Sequence, residues 1–300
     1  MSHEAIHNLD SRKRSDEIAE TSEKLLGRHE FVSNKLDKLR IKPRELVRQN
    51  DPNDIYSMDR IKKDEVYVAK RKANFAENDS SRLTNGLTMA EVKQLSEIAE
   101  YDIIRGINSG GWIPQGRALV ASDFDDIANG VDMVLEIGSK SSSLGHLGIG
   151  VDVSFSLDLN KKFQRIKDEI DAYDAEEHRL GVVKYYQSKT AGIRGELSGL
   201  SRVVAAYDLG TLEDMAVKSD RLKDHIGQAI LISEMKRQIE VFYEYAQDVN
   251  PACANQLQRS LQMITAIDSI VKASDRLEQA EYSKNRKADE AVQAGLNLFI

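Results

Sequence analysis

The chain has 300 residues, 41% of them apolar before its 18 glycines are counted, which suits a globular protein and excludes collagen, fibre and wholesale disorder. Its 42 basic and 49 acidic residues leave a net charge of −7, which argues against a surface coated all round with nucleic-acid-binding charge. One cysteine, Cys253, excludes an internal disulfide and a cysteine-based zinc finger.

The charge is uneven. Residues 1–75 hold 17 Lys/Arg and 14 Asp/Glu, a balance of +3, and the remainder carries −10. Met1 to Asp10 has no apolar core of a signal peptide, and no apolar stretch approaches a membrane span, so a cytoplasmic protein with no membrane contact is expected. The segment 1–87 is polar and interrupted by Pro43 and Pro52. Ile18, Leu25, Leu26, Leu36 and Leu39 mark a sparse helix face. Residues 1–50 therefore read as helical in patches, and 50–87 as a linker with local structure. Within it, Lys70-Arg71-Lys72 reads as a solvated face able to touch phosphate.

At Thr88 the texture changes. Thr88-Met-Ala-Glu91 is a capping box, and Met89, Val92, Leu95, Ile98, Ala99 and Ile103 follow at helical spacing, which predicts a helix over 88–105. Three strands are predicted next, at 118–122, 131–137 and 149–155. In the second, Val131, Met133, Leu135 and Ile137 alternate with Asp132, Val134 and Glu136. In the third, Val151, Val153 and Phe155 alternate with Gly150, Asp152 and Ser154. The Ser/Gly-rich stretch 139–147 reads as a hairpin loop. A helix over 158–172, strands at 182–186 and 201–207, a helix capped near Thr211, and two long helices over 220–248 and 254–281 complete the chain. Asn250-Pro251 separates the last two. The expectation is an α/β (α+β) core over 88–219, preceded by a polar extension and followed by a helical segment over 220–300.

Three motifs invite chemistry. His3-Glu4-Ala5-Ile6-His7 matches HExxH, but it sits where a terminal helix frays and little packs around it. Gly110-Gly111 followed by Asp123-Phe-Asp125, with Asp152 as a third acid, resembles the nucleotidyltransferase pattern. Pro114 and Asp126 depart from that pattern, and Ser122–Asp126 also reads as an acidic loop or helix cap. The third is the pair Asp132 and Asp152, on adjacent strands and on polar faces whose neighbours Gly150, Ser154 and Ser156 are small. Two carboxylates brought close raise each other's pKa unless a cation separates them, and Mg²⁺ is the usual cation for an all-oxygen site.

The order helix, three strands, helix, strand over about 88–187 resembles the PD-(D/E)XK, or restriction-endonuclease-like, phosphodiesterase superfamily. The resemblance implies an αβββαβ core and a Mg²⁺-dependent nuclease. Asp132 and Asp152 would be the metal ligands, with Glu100 (or Glu97) as the auxiliary carboxylate. That family carries a lysine two residues after the second acid, where this chain has Ser154. Lys162 is the replacement assigned, with Lys161 and Lys184 as alternatives. Without such a lysine the fold would serve as a binding or scaffolding module. Nucleic acid is then the implied partner, and the helices over 220–281 would offer a protein-partner or homodimer surface. Structural roles for Asp132, as a turn cap, and for Asp152, as a lysine's partner, remain open at this stage.

Overall fold

Residues 19–48, 51, 54–77, 87–138, 147–155, 158–174, 176, 178–218, 222–223, 225–273 and 286–300 are described in the computed structural model. The HExxH at 3–7, the stretch 139–146 of the expected hairpin loop and residues 78–86 lie outside them. In chain order the elements are α1 (His29–Leu39), α2 (Pro43–Leu46), α3 (Met58–Ala76), α4 (Met89–Asn108), β1 (Gly116–Val120), β2 (Met133–Ile137) and β3 (Leu147–Ser154). There follow α5 (Asn160–Ala172), β4 (Val183–Ser188), β5 (Ile193–Leu197), β6 (Ser201–Ala206), α6 (Leu209–Val217), α7 (Ile226–Val249), α8 (Pro251–Ala273) and α9 (Arg286–Leu296). One π-helical turn, Asp125–Asn129, stands between β1 and β2.

The capping box forms as the sequence predicts. Thr88 Oγ1 accepts from Glu91 N at 3.2 Å, and the Glu91 carboxylate accepts from Thr88 N at 2.7 Å. This satisfies orphan amides at the start of α4. The alternation in β2 and β3 sends Met133, Leu135, Ile137, Val151 and Val153 into one core, where Leu95, Ile98, Ala99 and Ile103 of α4 meet them. Strand order in the main sheet is β1-β2-β3-β6. The first two pairings are antiparallel, and β3 with β6 is parallel, Asp152 lying opposite Val204. The chain is thus a mixed α/β fold around a small mixed sheet.

The expected strand at 182–186 is not part of that sheet. It becomes β4, which pairs only with β5 as a separate hairpin, and the fourth strand of the main sheet is β6. Burial explains the choice. All six residues of β6 are buried, as a strand covered on both faces requires, whereas β4 leaves Gln187 exposed. Val131 also departs from the expected face. It enters before β2 begins and packs with Val134, Val183, Tyr186 and Leu200 beneath the hairpin. Its neighbour Gly130 has φ +63, so the chain arrives by a left-handed turn rather than an extended run. Residues 58–76, read as linker, form the nineteen-residue helix α3, capped by Ser57 accepting from Arg60 N. Only Ile61 of that helix is buried, so no apolar face announced it.

The C-terminal helices share the core of the sheet. Ile226, Ile230, Met235 and Ile239 of α7 and Ile264 of α8 join the α4–sheet cluster, while Phe242 and Ala246 pack with Phe163 and Ile166 of α5. Gln238 accepts from Val204 N at 2.8 Å and donates to Val204 O at 2.7 Å, so α7 closes the β6 edge with a side-chain amide. Among the described residues, no helix is long and apolar enough to cross a membrane.

One packing constraint yields a prediction. A Cβ on Gly106 would collide with the buried indole of Trp112. Gly106→Ala is expected to cost about 1–3 kcal/mol by overpacking, despite the better helix propensity of alanine. Urea unfolding should show a lower midpoint with an unchanged slope.

Candidate active site

A cleft of about 460 Å³ opens at one end of the sheet, lined by Arg40, Phe75, Glu100, Asp126, Asp132, Asp152, Lys161, Lys162 and Arg165 among others. The antiparallel pairing of β2 and β3 brings the two predicted aspartates together, because Asp132 immediately precedes β2 and Asp152 lies inside β3. Asp132 is held by β3. Its amide donates to Val151 O at 3.0 Å, and its carboxylate accepts from Val153 N at 2.6 Å. Glu100, on the buried side of α4, reaches the same space. Lys162, in the first turn of α5, places its ammonium on the Asp152 carboxylate and donates to Val153 O at 3.2 Å. All four residues assigned from the sequence therefore line one cleft.

The alternatives separate from them. Lys161 sits exposed on the rim. Lys184 lies in β4 and pairs with Asp64 at 2.5 Å. Glu97 also lines the cleft, but it is engaged with His29 Nε2 at 2.8 Å. Two residues escaped the sequence reading. Asp126 lines the same cleft, and its charge helps to raise the Asp132 carboxyl. Arg40, just past the end of α1, lies 3.3 Å from both Asp123 and Asp126 and 4.0 Å from Glu100.

The electrostatics follow from four carboxyl groups lining one cleft, Glu100 and Asp152 buried and Asp126 partly exposed. Burial, reinforced by Asp126, Asp152 and Glu100, drives the Asp132 carboxyl well above the usual aspartate range against the pull of Lys162. Burial pushes Glu100 up to about 8, with Arg40 opposing. Glu100 Oε1 is buried without a hydrogen-bond partner. Burial pulls the Lys162 ammonium down, but Asp152 and Asp132 overcome it and hold that pKa above the ordinary lysine value. Burial likewise opposes the charge on Arg40, and its four acidic neighbours more than offset it.

The nucleotidyltransferase pattern does not assemble. Asp125 accepts from Ser122 Oγ at 2.7 Å, Asn129 Nδ2 at 2.7 Å, Lys184 N at 2.6 Å and Tyr185 N at 3.1 Å. That carboxylate is spent on the π-helical turn and the hairpin, so it serves as the cap that the acidic-loop reading expects. Asp123 is held by Lys72 at 2.8 Å and by Arg40.

Among the described residues, no group of three His, Cys, Asp or Glu side chains is gathered closely enough to hold a metal ion. The positive charges in contact with the cluster are Lys162 and Arg40. Comparison with protein-family models, curated proteins and solved structures finds no match for the chain.

Glu100 sets a pH dependence. Its carboxyl is raised from an ordinary 4.5 to about 8, so its contribution to stability is full below about pH 4.5 and is lost as pH rises towards 8. Glu100→Gln removes the titrating group. It is expected to flatten thermal stability across that window and to raise the melting temperature at pH 8 by roughly 2–4 °C. Calorimetry of both forms at pH 5 and pH 8 checks this.

Proposed function

We propose that the chain is a Mg²⁺-dependent phosphodiesterase of the PD-(D/E)XK, restriction-endonuclease-like type, acting on nucleic acid. The observation that carries the reading is Lys162. Ser154 stands where the motif lysine belongs, yet the Lys162 ammonium reaches the second acid from the next helix. The succession α4, β1 to β3, α5 and parallel β6 supports the same reading, with the β4–β5 hairpin as an insertion before the last strand.

The donor set suits a small oxygen-seeking cation. Asp132 and Asp152 would hold it, with Glu100 and Asp126 as further carboxylates. One feature supports that fit: Glu100 Oε1 is buried without a hydrogen bond, with Arg40 standing 4.0 Å away. Loading requires the Lys162 ammonium to withdraw from Asp152, because the carboxylates do not yet converge. Bound Mg²⁺ would supply a Lewis acid for the scissile phosphate and acidify the attacking water.

The chain's own groups do the rest. A water oxygen bonds to phosphorus, one P–O ester bond breaks, and the leaving oxygen takes up a proton. Lys162 directs its N–H groups at the water and at the negative charge carried by the non-bridging phosphoryl oxygens. Asp126, partly exposed beside Arg40, can accept the water's proton. Lys161 and Arg165, exposed at the rim, hold the flanking phosphates.

Two measurements test the proposal. Mg²⁺ raises the melting temperature of the wild type, and Asp152→Asn abolishes that rise. On fluorescently labelled oligonucleotides, Lys162→Ala lowers Mg²⁺-dependent cleavage by roughly 100-fold or more while the protein stays folded. A wild type that neither responds to Mg²⁺ nor cleaves would refute the reading.

A further inference from the structure

Helix α3 has a composition that packing does not explain. It spans nineteen residues and buries one side chain, Ile61. Polar ties fix it instead: Asp64 accepts from Lys184 Nζ and Tyr185 OH, both at 2.5 Å, Glu65 pairs with Arg44 at 2.6 Å, and Lys72 pairs with Asp123 at 2.8 Å. These ties consume two of the helix's three acids and leave its outward surface rich in Arg60, Lys62, Lys63, Lys70 and Arg71. Two aromatic rings remain partly exposed, Tyr67 at 42% with one flank against Phe124 at 6.0 Å, and Phe75 at 44%. An exposed aromatic pair on a helix so firmly pinned asks for a partner.

The spacing is orderly. Tyr67, Arg71 and Phe75 stand four residues apart, so they form one stripe about 12 Å long on the helix surface. The Arg71 guanidinium lies 5.2 Å from the Phe75 ring centroid. The stripe ends at the catalytic cleft, because Phe75 is one of its walls. Lys93, Lys161 and Arg165 line the same cleft, all exposed and without an ion-pair partner among the described residues. The result is a row of ring, cation and ring leading to a cleft with a cationic rim and a carboxylate floor.

We propose that α3 is a docking track for single-stranded nucleic acid, whose bases stack on Tyr67 and Phe75 while its backbone crosses Lys93, Lys161 and Arg165 into the cleft. The inference rests on the phosphodiesterase reading for its direction, and it adds the strand type and the surface that selects it. The chemistry favours a single strand over a duplex. Stacking on a protein ring needs an unpaired base face, which duplex DNA keeps inside its own stack. Rings interleaved with guanidinium groups are tolerant of sequence, and the rim cations make binding salt-dependent. An acidic peptide would satisfy the cations but leave both rings without purpose.

The test is fluorescence anisotropy of the full chain in EDTA, where no Mg²⁺-dependent cleavage intervenes. Probes are a labelled twelve-nucleotide DNA strand, the matching RNA strand, the DNA duplex, and a strand whose central nucleotides are abasic. The track predicts at least tenfold tighter binding of one or both single strands than of the duplex, and loss of that preference for the abasic strand. Tyr67→Ala with Phe75→Ala weakens single-strand binding about tenfold or more, and Tyr67→Trp with Phe75→Trp preserves it. Lys161→Ala with Arg165→Ala weakens all probes and flattens the salt dependence. Duplex binding equal to single-strand binding, or indifference to the two alanine substitutions on α3, overturns the proposal. So does an absence of binding to every probe. The two readings fail separately. Selective, ring-dependent binding without Mg²⁺-dependent cleavage would leave the track standing and remove the hydrolytic function. Cleavage indifferent to strand type and to both rings would do the reverse.

Discussion

Four carboxyl groups line one cleft, and two cations from different elements meet them. Lys162 approaches from α5 and Arg40 from the end of α1. Carboxylates at such spacing repel, so the cluster persists only by protonation, pairing or bound metal. The described structure uses the first two. Glu100 is pushed up to about 8, and Asp152 is covered by the Lys162 ammonium. A fold built for stability alone would have little reason to keep such a site, since apolar side chains of similar volume would cost less. The cluster is held in place by the sheet and by α4.

The N-terminal layer is tied to that electrostatic demand. Arg40 crosses to Asp126, 86 positions away, and Ile41 N donates to Val120 O at 3.3 Å beside β1. Val32 and Leu36 of α1 enter the main core, so this layer is fixed by packing as well as by charge. The mildly basic balance of residues 1–75 thus has an address. Part of it neutralises the carboxylate floor, and part is carried outward on α3. The overall charge of −7 conceals this division.

What the sequence disclosed depended on how local each signal was. The capping box at Thr88 and the alternation through Met133–Ile137 and Ile149–Val153 are decided by near neighbours, and α4, β2 and β3 form accordingly. Asp132, Asp152, Glu100 and Lys162 were legible as candidates because strand pairing and helix order follow from those elements. The choice between 182–186 and 201–207 as fourth sheet strand was not legible, since two short apolar runs differ only in which tertiary surfaces cover them. Helix α3 gave no signal because it buries one side chain. Arg40 and Asp126 were missed as site residues for a different reason: each gains meaning only from partners far along the chain. Asp125 stands beside Asp126 in sequence, yet it accepts two hydrogen bonds from the hairpin and two from its own turn.

The central claim is that these carboxyls form one coupled site that a divalent cation discharges. Carbon-13 NMR of the carboxyl groups, titrated over pH with and without Mg²⁺, tests it most directly. Without metal, Glu100 should titrate near 8, and Asp132 well above the ordinary aspartate range. With Mg²⁺, both should ionise at distinctly lower pH. Titration curves for Glu100 and Asp132 that Mg²⁺ leaves unmoved would contradict the account.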